Sequence, residues 1–168
     1  MDFGAEYANY AADLTRSIPV NGKFTKRQAD VYNAVLHVMN TAKQMLVPGN
    51  TLDQYHKFVG KVMENELIKL DLLNESDVHN QNPDAPLYKK YFPHGTSHFL
   101  GLDVHDVGDK YRPFEAGMVF TCEPGIYIRE EGLGIRLEND FLITAGGPED
   151  LMANIPLELE DIEREMKS

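Results

Sequence analysis

The chain has 168 residues, of which 42% are hydrophobic, and its 27 acids against 16 lysines and arginines give a formal net charge of −11. That length holds one domain with a substantial core, the apolar fraction excludes a disordered chain, and the acidic balance excludes a nucleic-acid surface, which needs a basic face. The one cysteine, Cys122, excludes an intrachain disulfide and makes a reducing compartment the default.

Residues 1–20 read as two extended segments, closed by the turn signal Asn21-Gly22. Thr25 and Gln28 have the spacing of a capping box, and Val31, Val35, Met39 and Ala42 then recur at helical period. Val47-Pro48-Gly49-Asn50 stops that helix. Thr51 and Gln54 form a second capping box, opening an amphipathic helix through Tyr55, Val59 and Leu67 that ends near Leu73. Residues 75–86 are polar and proline-bearing, hence a loop, and residues 87–92 suggest a short helix leading into an extended strand that starts at His94. Beyond a loop over residues 109–117, strands are expected at 118–123, 126–128 and, as one long run, 134–144, with a turn at Glu130-Glu131-Gly132. An acidic helix over 157–166 closes the chain. Strands, then helices, then strands suggest an α+β fold with an antiparallel sheet. No signal peptide, transmembrane run or lipidation motif is legible, so the expectation is a cytoplasmic protein without a membrane partner.

The densest chemistry lies in residues 94–108, which hold His94, His98 and His105. On an extended strand, even spacing puts His94 and His98 on one side. Imidazoles on an apolar strand are costly to bury unless each nitrogen finds a partner. Asp2, Asp13, His98, Glu123 and Glu138 are metal-ligand types at expected strand positions. Four carboxylates with one imidazole suit Mn²⁺, Co²⁺ or Zn²⁺, and they are more than one ion requires, so two ions sharing them is the natural arrangement. A water between two such ions loses a proton near neutral pH and becomes a nucleophile. Each residue has a plain role beside this one. Asp2 is a terminal acid, Asp13 a partner for Arg16, Glu123 a holder of the turn at Pro124, Glu138 a partner for Arg136, and His98 a hydrogen-bonded core residue.

Residues 2–16, residues 94–108, Thr121-Cys122-Glu123-Pro124-Gly125 and residues 134–140 together resemble the signature segments of the pita-bread metallopeptidases, family M24, and they come in that family's order. Within it, residues 18–25 and His94-Gly95-Thr96-Ser97-His98 are most similar to the Xaa-Pro aminopeptidases (aminopeptidase P). The prolidases usually have glycine where Ser97 stands, and the methionine aminopeptidases fit less well. The resemblance implies a pita-bread fold, a curved antiparallel sheet covered by helices. It implies that Asp2 chelates one ion, that Asp13 and Glu138 bridge two, and that His98 and Glu123 complete the shell of the other. His94 and His105 would line the substrate pocket and bind the carbonyl oxygen or stabilise the tetrahedral intermediate. Tyr127 would stand beside them, and Arg136 would act just outside the shell, where outer partners orient ligands. The implied reaction is removal of the first residue from a peptide with proline second, by a hydroxide bridging two divalent ions, with Mn²⁺ expected ahead of Co²⁺ or Zn²⁺.

Against the family pattern, residues 1–168 correspond to the C-terminal part of a catalytic domain, with the N-terminal domain and the start of the catalytic domain absent. Chain ends fray unless tied down, so Asp2 is the weakest of the expected ligands. A sheet edge left open invites pairing with another chain, which predicts a homo-oligomer. The alternative to an enzyme is a silent pita-bread fragment that folds, and binds metal or peptide, without hydrolysis.

Overall fold

A computed structural model describes residues 1–167. Four two-residue strands open the chain: β1 (Asp2–Phe3), β2 (Glu6–Tyr7), β3 (Tyr10–Ala11) and β4 (Leu14–Thr15). β1 pairs antiparallel with β4, and β2 with β3. The two expected extended segments are thus a strand pair with a hairpin between them. Its turn residues Ala8 and Asn9 both have positive φ, 53° and 63°, the pattern of a tight hairpin turn.

Helices α1 (Lys26–Ala42) and α2 (Leu52–Lys69) each start at the expected capping box. At α1 the Gln28 amide N–H donates to Thr25 Oγ1 at 3.3 Å while the Thr25 amide donates to Gln28 Oε1 at 2.8 Å. At α2 the Thr51–Gln54 pair repeats this at 3.2 and 3.0 Å. Each box satisfies amides that helix geometry leaves without partners. Val31, Val35, Val38 and Met39 of α1 and Tyr55, Val59, Met63 and Leu67 of α2 are buried in one core with Phe120, Ile126, Phe141 and Ile143 of the sheet. Gly60 of α2 lies so close to Tyr88 that a Cβ would come within 2.7 Å of the ring, which is why no larger residue fits there. The polar stretch expected to be a loop contains the short helix α3 (Glu75–His79), capped by Asn74.

The C-terminal strands are β5 (Val119–Cys122), β6 (Gly125–Ile128), β7 (Leu133–Arg136), β8 (Asn139–Thr144) and β9 (Gly147–Asp150), followed by α4 (Leu159–Glu165). β5, β8 and β9 form an antiparallel sheet in that order, and β6 pairs with β7. The long strand expected over 134–144 is therefore interrupted at Leu137-Glu138, opposite an interruption at Glu123-Pro124. The register is common to both sides of the gap. Cys122 faces Asn139 and Gly125 faces Arg136, so one step on from the Cys122 pair sets Glu123 directly opposite Glu138. Pro124 has no N–H to give the ladder, so the Pro124–Leu137 pair keeps only the bond from the Leu137 amide to the Pro124 carbonyl, at 3.2 Å.

The expected strand from His94 is a further correction. Residues 94–108 form no named strand. Only residues 96–99 run beside β5: the Glu123 amide donates to the Thr96 carbonyl at 2.8 Å, the Thr121 amide to the His98 carbonyl at 3.3 Å, and Phe99 bridges Phe120. Beyond Phe99 the chain turns into a glycine-hinged loop. At Gly101 a Cβ would meet Asp106 Oδ2 at 2.3 Å, and at Gly108 it would meet the Phe99 ring at 2.2 Å, so the loop closes more tightly than a strand permits.

Candidate metal centre

The strand registers build the site as a transverse row. Asp2 faces Thr15 across β1 and β4, Thr15 faces Glu138 through an isolated bridge, and Glu138 faces Glu123. Partners across antiparallel strands project to the same face. Residues two apart on a strand share a face, so Asp13 joins Thr15 and His98 joins Thr96 opposite Glu123. Five chain segments, distant in sequence, thus aim acids and an imidazole at one hollow of about 430 Å³ whose walls carry Asp2, Asp13, His94, His98, His105, Glu123, Arg136 and Glu138. Of the residues singled out from the sequence, only Tyr127 lies outside that lining; its hydroxyl stands 2.8 Å from His94 Nε2.

The imidazoles are oriented by their neighbours. His98 Nδ1 lies 2.9 Å from the Phe99 carbonyl, a bond in which the ring N–H must donate. Its Nε2 then carries the lone pair, and it faces Asp13 Oδ2 at 3.5 Å and Glu123 Oε1 at 3.7 Å. His94 Nδ1 lies 2.8 Å from the Gly95 carbonyl, and burial lowers the His94 pKa. The His105 ring stands edge-on to His98 at 4.3 Å between centroids. Asp106 secures the His105 loop by accepting the amides of Leu102 at 3.1 Å and Val107 at 2.8 Å.

The acids are placed against their own electrostatics. Glu138 is 2% exposed, and burial pushes its carboxyl up to about 7 against the bond from Thr15. Burial and then the charge of Glu138 push Glu123 up to about 8. Asp13 is raised by burial and by Asp2. Arg136 pairs with Asp2 rather than with Glu138, and Arg16 turns away from Asp13 to donate to the carbonyls of Pro156 and Glu138 at 2.7 and 2.8 Å. The plain ion-pair roles for Asp13 and Glu138 are therefore not the ones adopted. Asp2 itself lies at the edge, its side chain 57% exposed.

A divalent cation fits this donor set. Ligand atoms of His98, Glu123 and Glu138 lie within 4.8 Å of one another, as do those of Asp2, Asp13 and Glu138, and those of Asp13, His98 and His105. Once these acids ionise, a lone pair on Nε2 facing carboxylate oxygens, with carboxylates facing each other, is acceptor against acceptor. A shared cation turns each of these repulsions into an attraction.

Three contributors went unnoticed in the sequence. Thr15 is two residues from Asp13, and strand alternation alone would have placed it on the same face. His56 of α2 accepts the Thr96 amide at 3.3 Å and holds the turn before His98. The bonds of Asp106 to Leu102 and Val107 depend on a loop closure that no local pattern announces.

An antiparallel α+β scaffold with acids and imidazoles aimed from separate strands into one hollow defines a class, the pita-bread metallopeptidase fold. The model of metallopeptidase family M24 matches residues 1–145, and the chain belongs to that family. It is 42% identical over 178 residues to an Xaa-Pro aminopeptidase of Haemophilus influenzae, covering 99% of this chain and 41% of that protein. It is 38% identical to human Xaa-Pro aminopeptidase 3, covering 98% of this chain and 34% of that one. Among solved structures, a zinc-substituted Escherichia coli aminopeptidase P in complex with product superposes with a TM-score of 0.88 at 40% identity, over 99% of this chain and 40% of that one. The chain thus spans about two fifths of the length of the relatives it matches. Among the described residues no helix is long and apolar enough to cross a membrane.

Proposed function

We propose that this chain is the metal-holding part of an Xaa-Pro aminopeptidase, acting on peptides with proline second. The observation that carries the reading is the row Asp2, Thr15, Glu138, Glu123, set by strand register, with Asp13 and His98 on its face. In this reading Asp2, Asp13 and Glu138 would hold one divalent ion, and His98 and Glu123, together with Asp13 and Glu138, would hold a second. The oxygen-rich donor set favours Mn²⁺, with Co²⁺ and Zn²⁺ as substitutes. When bound, such a pair of ions supplies an activated water and Lewis acidity toward a peptide carbonyl. His94 and His105 flank the hollow beside the substrate carbonyl oxygen; His94 is held by its Nδ1–H on the Gly95 carbonyl and by the Tyr127 hydroxyl at Nε2, and reaches the substrate by exchanging one of these partners. Arg136 keeps Asp2 aimed inward. Proline lacks the amide hydrogen by which extended peptides are commonly held, so recognition falls on carbonyls and ring shape.

Correspondence to the C-terminal part of a catalytic domain belongs to this reading, as does a cytoplasmic setting. So does self-association through the exposed Phe3, Tyr7 and Tyr10 of the first strands, where unpaired edges and apolar side chains coincide. The second reading, a chain that binds metal without hydrolysis, is favoured by the exposure of Asp2. The test is release of the first residue from an Arg-Pro-Pro peptide with and without Mn²⁺. Weak, metal-dependent release that vanishes in His98→Ala supports the enzyme. Mn²⁺ uptake with no release supports the silent chain, and neither uptake nor release overturns both.

A further inference from the structure

The row contains one member that is neither an acid nor an imidazole. Thr15 is 4% exposed and stands between Asp2 and Glu138. Its hydroxyl has one hydrogen, and that hydrogen goes to Glu138 Oε2 at 2.7 Å. A lone pair of the same oxygen accepts Nε–H of Arg136 at 3.0 Å, and the other end of that guanidinium pairs with Asp2. One hydroxyl therefore ties the exposed acid at the rim to the buried acid at the centre. It also holds Arg136 beside Asp2 and away from Glu138.

We propose that Thr15 is a positioning residue that sets the ligand geometry of Glu138 and Asp2 together, so that loss of its hydroxyl weakens cation binding at the ion those two acids share. The inference rests on the metal-binding reading above. It is separable from folding because the backbone of Thr15 is held independently of its side chain. The Thr15 carbonyl accepts the Glu138 amide at 3.1 Å and Nη1 of Arg16 at 2.9 Å, and both bonds survive a side-chain change.

The experiment is a calorimetric Mn²⁺ titration of the full chain in three forms: wild type, Thr15→Val, which keeps the shape, and Thr15→Ser, which keeps the hydroxyl. Thr15→Val is expected to weaken one of two binding steps by about 10- to 100-fold, the usual effect of removing an outer partner of a metal ligand. The other step, which also draws on Glu138, should weaken less, the metal-free melting temperature should fall by only a few degrees, and Thr15→Ser should restore the affinity. Unchanged affinities in Thr15→Val overturn the inference and leave the metal reading intact. Equal weakening of both steps without rescue by Thr15→Ser also overturns it, since that is the mark of general structural damage. A wild-type chain that takes up no Mn²⁺ overturns the metal reading and this inference with it. Should Thr15→Val not fold, Thr15→Ala carries the same comparison.

Discussion

The helical layer and the carboxylate row handle charge in opposite ways. On α1 and α2 most charges stay on the solvent side, where Lys26 meets Asp30 and Lys57 meets Asp53, each at 2.8 Å, and the inner faces are apolar apart from Glu66 and His56. In the row the acids turn inward, face one another and are pushed toward neutrality by burial. Exposed pairs of the first kind contribute little and strain nothing. Acids of the second kind lower the stability of the metal-free fold, and their arrangement makes sense only with a positive partner. The difference separates what makes the chain fold from what it is folded to hold.

The comparison can be broken most forcefully from the helical side. Leu67 of α2 is fully buried, and Leu67→Ala should destabilise the chain by about 2–5 kcal/mol in denaturant melts, while Mn²⁺ bound per folded chain stays unchanged. A loss of metal in the folded fraction would show that the two regions are not separable. Next in size, Glu138→Gln should act with opposite signs. It should abolish tight Mn²⁺ binding and, at pH 8, raise the metal-free stability by on the order of 2 kcal/mol, because a buried ionised acid is replaced by a neutral isostere.

The pH dependence sharpens the same point. The carboxyls of Glu123, Glu138 and Asp140 lie near 8, 7 and 7, each raised first of all by burial. Between the ordinary carboxylate range and these values, the folded state holds more protons than the unfolded one. Metal-free stability therefore falls as pH rises from about 5 to 8. Burial lowers the pKa of His56 and His94, so stability also falls on acidification below the ordinary histidine value of 6.5. The three raised carboxyls outweigh the two histidines above about pH 5, so a melting temperature highest near about pH 5 without metal, and moved to higher pH with Mn²⁺, is the expected profile. The smallest effect belongs to the caps: Thr51→Ala should cost about 1 kcal/mol, with no change in metal affinity.

How much of this was legible in the sequence follows from the range of the forces involved. Helices α1 and α2 were readable to within a few residues, because capping boxes and apolar periodicity are local. The turn at Gly132, with φ 60°, was equally local. The interruption of the strand at Leu137-Glu138 was not, since residues 134–144 alternate like one strand and the break comes from the missing amide hydrogen of Pro124 on the segment opposite. The tight closure of the loop after Phe99 was not legible either, since it depends on how Gly101 and Gly108 meet Asp106 and Phe99. The candidate ligands, each weak alone, came together in the reading only through the resemblance of four segments to one family. Register alone would have required knowing which strands are neighbours. Thr15 escaped because a threonine between an aspartate and an arginine carries no signal until Glu138 is seen beside it.

The central claim is that the opposed acids of the row are held apart for cations. Its most direct measurement is the number of Mn²⁺ ions bound per chain at pH 8, with the melting temperature recorded in the same titration. The account predicts two ions, taken up with a rise in melting temperature that is larger at pH 8 than at pH 6. A chain that binds none at millimolar Mn²⁺, with a melting temperature indifferent to the metal at both pH values, contradicts it.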